Sequence, residues 1–413
     1  MNILALAYYI PMPDRGAKYL RFYEILKILA AKHSVAFHNI EIEHQKRVYG
    51  EAETIAYRDK LQQLGIEVIK DGLKHEFRRF LQERKVDAVF IEHFETVQFG
   101  LDLDEVRFWQ PSARVIVDTV DVNFQKALDK AAVTGKPQDM AEAHRIKAFE
   151  LGLYDNSDLL IAITEEDKRA YLKENDEFNI EIIPLVHELP PLSKVSPASP
   201  HTLVFVGNFE WSANVDAMLY FCAEVLPLIE ERVADVKLNI VGNAPPAEIK
   251  NLARANVEVH GFVADLEPIL RSCAISIAPL RYGGGLKGKV TEAMANGLPV
   301  VTTSVGLQGM NCIPGESVMA GDTPQAFADA VVRLMLDRSC YENVRKNAWE
   351  VVDKTYSEKA VAKQVDAIFD RLNQCPVKKL DRIAWLKLQT SLFMHKYVLW
   401  RFSRKDSLPV ATQ

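Results

Sequence analysis

Apolar residues fall into short runs separated by amphipathic stretches of helical period. An apolar run at 3–8 leads through a polar turn at 11–16 into a segment at 18–32. There Leu20, Tyr23, Ile25, Leu26 and Leu29 form one stripe, and a second apolar run follows at 34–39. Short buried runs joined by amphipathic helices predict β-α-β units and a parallel sheet. Further strands are predicted at 86–91, 114–119, 159–164 and 181–185, with an amphipathic helix at 139–156. Pro190, Pro191, Pro197 and Pro200, with serines between them, make 188–201 a linker that belongs to neither sheet. A second series then begins, with strands at 202–206, 237–241, 257–259, 274–278 and 300–303 and helices at 214–233, 247–255 and 265–272. Three amphipathic helices at 324–338, 341–355 and 358–372 close it, the first with Thr323 as N-cap and Pro324 at its first helical position. The pattern predicts an α/β protein of two Rossmann-like domains, 1–187 and 202–375, each with a parallel sheet, followed by a tail at 376–413.

Composition narrows the picture. A chain of 413 residues can hold two cores, and 48% hydrophobic with 26% charged residues is ordinary for a globular protein. A net charge of −6 argues against a nucleic-acid partner, because a polyanion is repelled by most of such a surface. The charge is uneven: residues 376–413 carry +6 and the remainder −12. That tail interleaves Trp385, Leu388, Leu392, Phe393, Tyr397 and Trp400 with its cations, which suits either an anionic membrane surface or the acidic body of the protein. Five cysteines without a Cys-x-x-Cys pair fit a reducing compartment better than a disulfide framework or a zinc site. Residues 1–10 lack a basic start and a small-residue cleavage site, so they read as a first core strand, and no uninterrupted run of eighteen apolar residues predicts a membrane span. A cytoplasmic protein, peripheral on the membrane if the tail binds it, is the expectation.

The chemistry concentrates in residues 281–301, RYGGGLKGKVTEAMANGLPVV. Gly283, Gly284 and Gly285 remove every side chain where the backbone meets a ligand, and a helix predicted at 286–296 starts at once, which is a geometry for binding phosphate. Lys287 and Lys289 add cationic donors. Glu292 lies about one and a half turns further on, where it can reach a ribose. A glycine turn alone also serves plain helix packing; diphosphate plus ribose describes a nucleotide.

This stretch, with its ending EAMANGLPVV, resembles the nucleotide-sugar signature of glycosyltransferase family 4, and the resemblance extends over most of the chain. It implies the GT-B fold, with an acceptor-binding first domain and a donor-binding second one. It also implies a retaining, metal-independent transferase without a cofactor, moving a sugar from a nucleotide-diphosphate sugar to a glycan or lipid-linked acceptor. The run PDRGAKYLR resembles the family's N-terminal loop, which makes Gly16 a candidate for close approach to the donor and Lys18 and Arg21 candidates for the acceptor. Without it, Gly16 simply turns the chain and the cations are solvated. His93, just past a core strand, occupies the family's usual histidine position. Asp118 and Asp121 in DTVDVN are candidates for holding hydroxyls. Gly207 and Asn208 in FVGNFEW, and Val263 in GFV, face the donor by the same resemblance. Residues 150–166 match it too, as a helix packed on the sheet.

Three departures stand out. The loop at 207–211 lacks the Arg and Lys with which many relatives grip the diphosphate, so Lys287 and Lys289 carry more of that charge. Gly284 replaces the first of two glutamates that many members have. Leu185, Val186 and His187 follow Pro184 where relatives often continue Pro-Asn-Gly, so no role is carried over there. Two rival readings remain open: a nucleotide-sugar epimerase or hydrolase of the same fold, and a catalytically silent nucleotide-binding scaffold.

Overall fold

The computed structural model describes residues 1–69, 74–94, 96, 103–192, 200–263 and 265–380, with Ile383, Leu386 and Thr390 singly. Strands β1 (Asn2–Ala7), β2 (Ser34–Asn39), β3 (Glu67–Val68), β4 (Ala88–Glu92), β5 (Arg114–Asp118), β6 (Leu159–Ala162) and β7 (Ile180–Ile182) form one parallel sheet, ordered 3-2-1-4-5-6-7. Strands β8 (Thr202–Val206), β9 (Lys237–Val241), β10 (Val257–Gly261), β11 (Ile275–Ala278), β12 (Val300–Thr302) and β13 (Met319–Ala320) form the second, ordered 10-9-8-11-12-13. Both orders reverse beside the first strand of the domain, and parallel sheets bind ligands beyond the carboxyl ends of their strands at such a reversal. Buried runs such as Leu4, Ala5 and Leu6 in β1 and Val89, Phe90 and Ile91 in β4 are covered on both faces, as a parallel sheet demands.

The predicted strands are present within a few residues. The helices Ile42–Tyr49, Glu51–Gln63 and Lys74–Glu83 were not foreseen, because they hold few apolar residues. The single helix predicted at 214–233 is Ser212–Tyr220, a π turn Phe221–Val225 and Leu226–Glu230. Pro227 has no amide hydrogen, and the wide turn lies immediately before it. Residues 212–230 are long and apolar enough to cross a membrane, yet Ala217, Met218, Phe221, Val225, Leu226 and Ile229 are buried in the second domain's core. The helix expected at 247–255 is one turn, Ala247–Lys250.

The C-terminal helix Glu358–Arg371 packs on the first domain, where Val361, Val365, Ile368 and Phe369 join the core around Phe22 and Phe90. Residues 193–199 of the expected linker lie outside the described residues, as does most of the basic tail. Its start is anchored on the first domain: the Lys378 amide donates to Asp158 at 2.6 Å, and Arg107 donates to the Lys378 carbonyl at 2.9 Å.

Candidate functional site

The glycine turn follows β11, and the helix Gly288–Ala295 begins where predicted to within two residues. Gly283 and Gly285 have φ of 124° and 74°, conformations that side chains rarely adopt. Gly284 has neither constraint, and a Cβ there would meet open space. A Cβ on Gly285 would lie 2.9 Å from Asp121 Oδ1, so the turn lies directly against the first domain. Farther along, a Cβ on Gly288 would lie 3.1 Å from that of Ala17, at the first residue of the helix Ala17–Ala30. Two helix N-termini therefore converge on the cleft, each carrying unpaired amides and a partial positive charge.

Glu292 is half-buried one turn inside the second of these helices, and among the described residues its carboxylate has no hydrogen-bond or ion-pair partner. Burial pushes its carboxyl up to about 7. A partly desolvated acceptor without a protein donor can take hydroxyl donors from a ligand.

The two lysines differ. Lys289 reaches across to the loop after β8, where its ammonium donates to Asn214 Oδ1 and lies 4.4 Å from the Phe205 ring centroid. A Cβ on Gly207 would be 3.0 Å from that nitrogen. The helix thus delivers to this loop the cation that the loop's own sequence lacks. Asn214, absent from the expected site, aims it: the Asn214 amide also donates to the Asn208 carbonyl at 2.6 Å, which fixes its oxygen toward Lys289. Gly242 completes the close approach, since a Cβ there would overlap the Gly207 carbonyl at 1.7 Å. Lys287 folds back instead and donates to the carbonyls of Gly285 at 2.6 Å and Gly283 at 3.2 Å. Burial lowers Lys287 to about 8, helped by nearby Lys126, and lowers Lys289 to about 7, helped by Lys287.

On the first-domain side, β4 and β5 end in two left-handed residues, His93 at φ 64° and Val120 at φ 60°. A β-branched residue there stores strain of about 1–3 kcal/mol and persists only where its surroundings enforce it. The Asp121 amide donates to Thr119 O at 2.6 Å, which tightens this turn. A buried network holds both: Glu150 accepts from the Phe124 amide at 2.8 Å and from the hydroxyls of Tyr154 and Tyr171 at 3.0 Å each. Asn123 Nδ2 donates to Asp121 O at 2.9 Å and to His93 Nε2 at 3.1 Å. Glu150 and Tyr154, in the segment 150–166 read from sequence as packing, therefore join Tyr171 in orienting His93 and Asp121.

Two expected acceptor contacts are corrected. Arg21 is 1% exposed and donates to the carbonyls of Ile183 at 2.6 Å and Pro184 at 3.2 Å, and to Asp118, which is wholly buried. They tie the first helix to the sheet and do not face the cleft. The sequence places them 97 residues apart, which hides the pairing. Lys18 is partly exposed and lies 3.3 Å from Glu92, and Asp121 pairs with Lys126 at 2.6 Å. Gly16 caps the first helix in open space. Asn208 turns its side-chain amide to Glu210 at 2.8 Å, and its carbonyl accepts from Asn214. Val263 is half-buried beside Phe262, whose ring lies 5.8 Å from Arg15 of the first domain. His187, given no role by sequence, joins the segment after β7 to the helix Gly288–Ala295. The Thr291 hydroxyl donates to the Gly288 carbonyl and so accepts from His187 Nε2 at 2.8 Å.

Residues 200–337 match the family model of glycosyl transferases group 1. The matched segment contains the glycine turn, both lysines and Glu292. A 44.6 kDa protein of the cps region of Klebsiella pneumoniae, itself uncharacterized, is 27% identical over 168 residues, 38% of this chain. The match spans 43% of that relative's length. Sucrose-phosphate synthase from Thermosynechococcus elongatus superposes with a TM-score of 0.66 at 17% identity, over 91% of this chain and all of that one. Anabaena Alr3699/HepE, solved with UDP and glucose, gives 0.62 at 14% identity, over 89% of this chain and 99% of its own. At these identities the likeness is one of fold, and the fold is GT-B.

Proposed function

We propose that the protein is a retaining glycosyltransferase that moves a sugar from a nucleotide-diphosphate sugar to a glycan or lipid-linked acceptor during surface-polysaccharide assembly. The observation that carries this reading is the unpaired Glu292 carboxylate, set one turn behind a helix N-terminus, a glycine turn and two lysines. Together these match a ribose and a diphosphate. UDP and glucose in the similar Anabaena fold, and the cps-region relative, support the substrate class and the setting.

As the glycosidic bond breaks, negative charge grows on the departing diphosphate. Amides of the turn, the helix N-terminus and Lys289 stabilise that charge more in the transition state than in the ground state. Lys287 contributes once a phosphate competes with the carbonyls that now hold it. The arrangement supplies positive charge without a metal, so activity is expected to survive chelation. His93 and Asp121 flank the donor sugar, and closure of the two domains excludes water that would hydrolyse it. Retention follows from attack on the face the diphosphate leaves. A cytoplasmic location, where nucleotide sugars are made, belongs to the same proposal.

Incubation of the chain with a panel of nucleotide sugars and lipid-linked or soluble glycans, with products read by mass spectrometry and anomeric proton NMR, tests this. An elongated acceptor of retained configuration is expected. An epimer, free sugar alone, or no turnover with any donor would overturn it.

A further inference from the structure

We infer that a cavity on the hinge side of the cleft is a saccharide subsite for the acceptor, an inference that rests on the transferase reading. The cavity measures about 500 Å³, within the range of about 300–1,000 Å³ common to small-ligand sites. Its walls come from the first domain at Thr164 and Lys168, from the second domain at Asn311, and from the crossing C-terminal helix at Gln364 and Arg371. It exists only while these three parts are together.

Its lining selects a chemistry. Gln364 Oε1 is buried and has no hydrogen-bond partner, although an acceptor left so costs about 1–3 kcal/mol. Turned over about its last bond, the amide presents this oxygen to the cavity, where a ligand hydroxyl would donate to it. Among the described residues, the side chains of Lys168 and Asn311 likewise make no hydrogen bond or ion pair, while Arg371 and Glu181 pair across the rim at 3.3 Å. Glu165, Glu166 and Glu181 oppose a phosphate or carboxylate; Lys168, Arg169 and Arg371 oppose a cation. Donors and acceptors of both signs alternate, so the matching ligand is uncharged and rich in hydroxyls, each able to donate and accept.

The cavity also lies beside the donor site. A Cβ on Gly309 would meet Thr164 Cγ2 at 2.9 Å and Leu286 Cδ1 at 3.6 Å, and Leu286 belongs to the glycine turn. Glu166, at the cavity wall, is close enough to Lys287 to favour its charged form. A sugar held here is next to the diphosphate pocket, and it takes the role that buried Arg21 and Asp118 cannot fill. Because both domains form the walls, occupancy favours the closed arrangement.

Saturation-transfer NMR on the full chain, with glucose, galactose, N-acetylglucosamine and rhamnose as probes and UDP present, tests the assignment. At least one sugar should receive saturation. The double variant Gln364→Leu, Lys168→Met should weaken that sugar's affinity about five- to tenfold, the effect of removing one or two hydrogen bonds, with UDP affinity unchanged. Lys168→Met alone, at a partly exposed position, should show a smaller loss and serves if the double variant unfolds. Sugars that stay silent while UDP binds, or a variant with undiminished affinity, would overturn the subsite alone. A wild-type chain that binds no nucleotide in calorimetry would overturn the transferase reading as well.

Discussion

Lys287, Lys289 and Glu292 titrate near neutrality for one reason, burial of a charge, and this makes donor binding depend on pH in a definite direction. The lysines lie below their ordinary value, near 8 and 7, so at pH 8 much of their charge is absent from the empty site. A bound diphosphate favours the charged form and raises both, so binding takes up protons. Glu292, near 7, is already ionised at pH 8 and contributes little to the exchange there. Calorimetry of UDP-glucose at pH 8, in buffers of different ionisation enthalpy, should show net proton uptake, reduced in Lys289→Met. Affinity should fall as pH rises from 7 to 9; a flat profile would remove both lysines from the phosphate site. Glu292→Ala should weaken UDP about ten- to hundredfold, the range for losing hydrogen bonds to a charged acceptor. Its affinity for inorganic pyrophosphate, which has no ribose, should stay at the wild-type value, and equal losses for both ligands would point to a damaged helix instead.

At the scale of elements, the first helix and β5 are joined by the buried Arg21 and Asp118. Removing one partner strands the other charge, at a cost of about 3–5 kcal/mol. Arg21→Leu should lower the free energy of unfolding in urea by that amount, and adding Asp118→Leu should recover most of it. If the single variant is as stable as wild type, the pair is not holding the helix. The turn after β5 gives a spectroscopic expectation. Asn123 Nδ2 donates one hydrogen to Asp121 O, which can only accept, so its amide group is oriented and His93 Nε2 accepts the other. His93 should therefore carry its proton on Nδ1, visible in imidazole nitrogen shifts, and Asn123→Ala should return it to the Nε2–H form that dominates in water. The same signal in both proteins would refute the relay. These elements also mark what a sequence exposes. The glycine turn was legible because its chemistry is local: positive φ, a helix start and Glu292 lie within ten residues. Arg21 with Asp118, Asn214 with Lys289, and Glu150 with Asn123 are pairings between elements distant in sequence, and no periodicity encodes them. The two parallel sheets followed from apolar runs alternating with helical stretches, whereas the three helices between β2 and β4 escaped because they hold few apolar residues.

For the whole molecule, the proposed transfer depends on how closely the two domains approach, and one of the tight places between them is where Gly288 meets Ala17. The gap there admits a hydrogen and little more, since even a Cβ would come to 3.1 Å. Arg15 of the first domain lies over Phe262 and His187 bonds Thr291, so two further contacts hold the approach. A larger side chain at Gly288 must either distort one helix start or open the domains, and packed helices yield less readily than a hinge does. Gly288→Leu is therefore expected to act as a wedge. Its radius of gyration in small-angle scattering with UDP-glucose should exceed that of wild type, and transfer should fall about a hundredfold, because a displacement of about 1 Å at the reacting centre costs that much. Binding of UDP to the second domain, measured alone, should change far less, since the turn, Lys289 and Glu292 stay together. Gly284→Ala, in open space within the same turn, is the matched control and should leave scattering and activity near wild type. An unchanged radius in Gly288→Leu with transfer intact would mean that the sheets need not close at this point, and the source of water exclusion would have to lie elsewhere in the cleft.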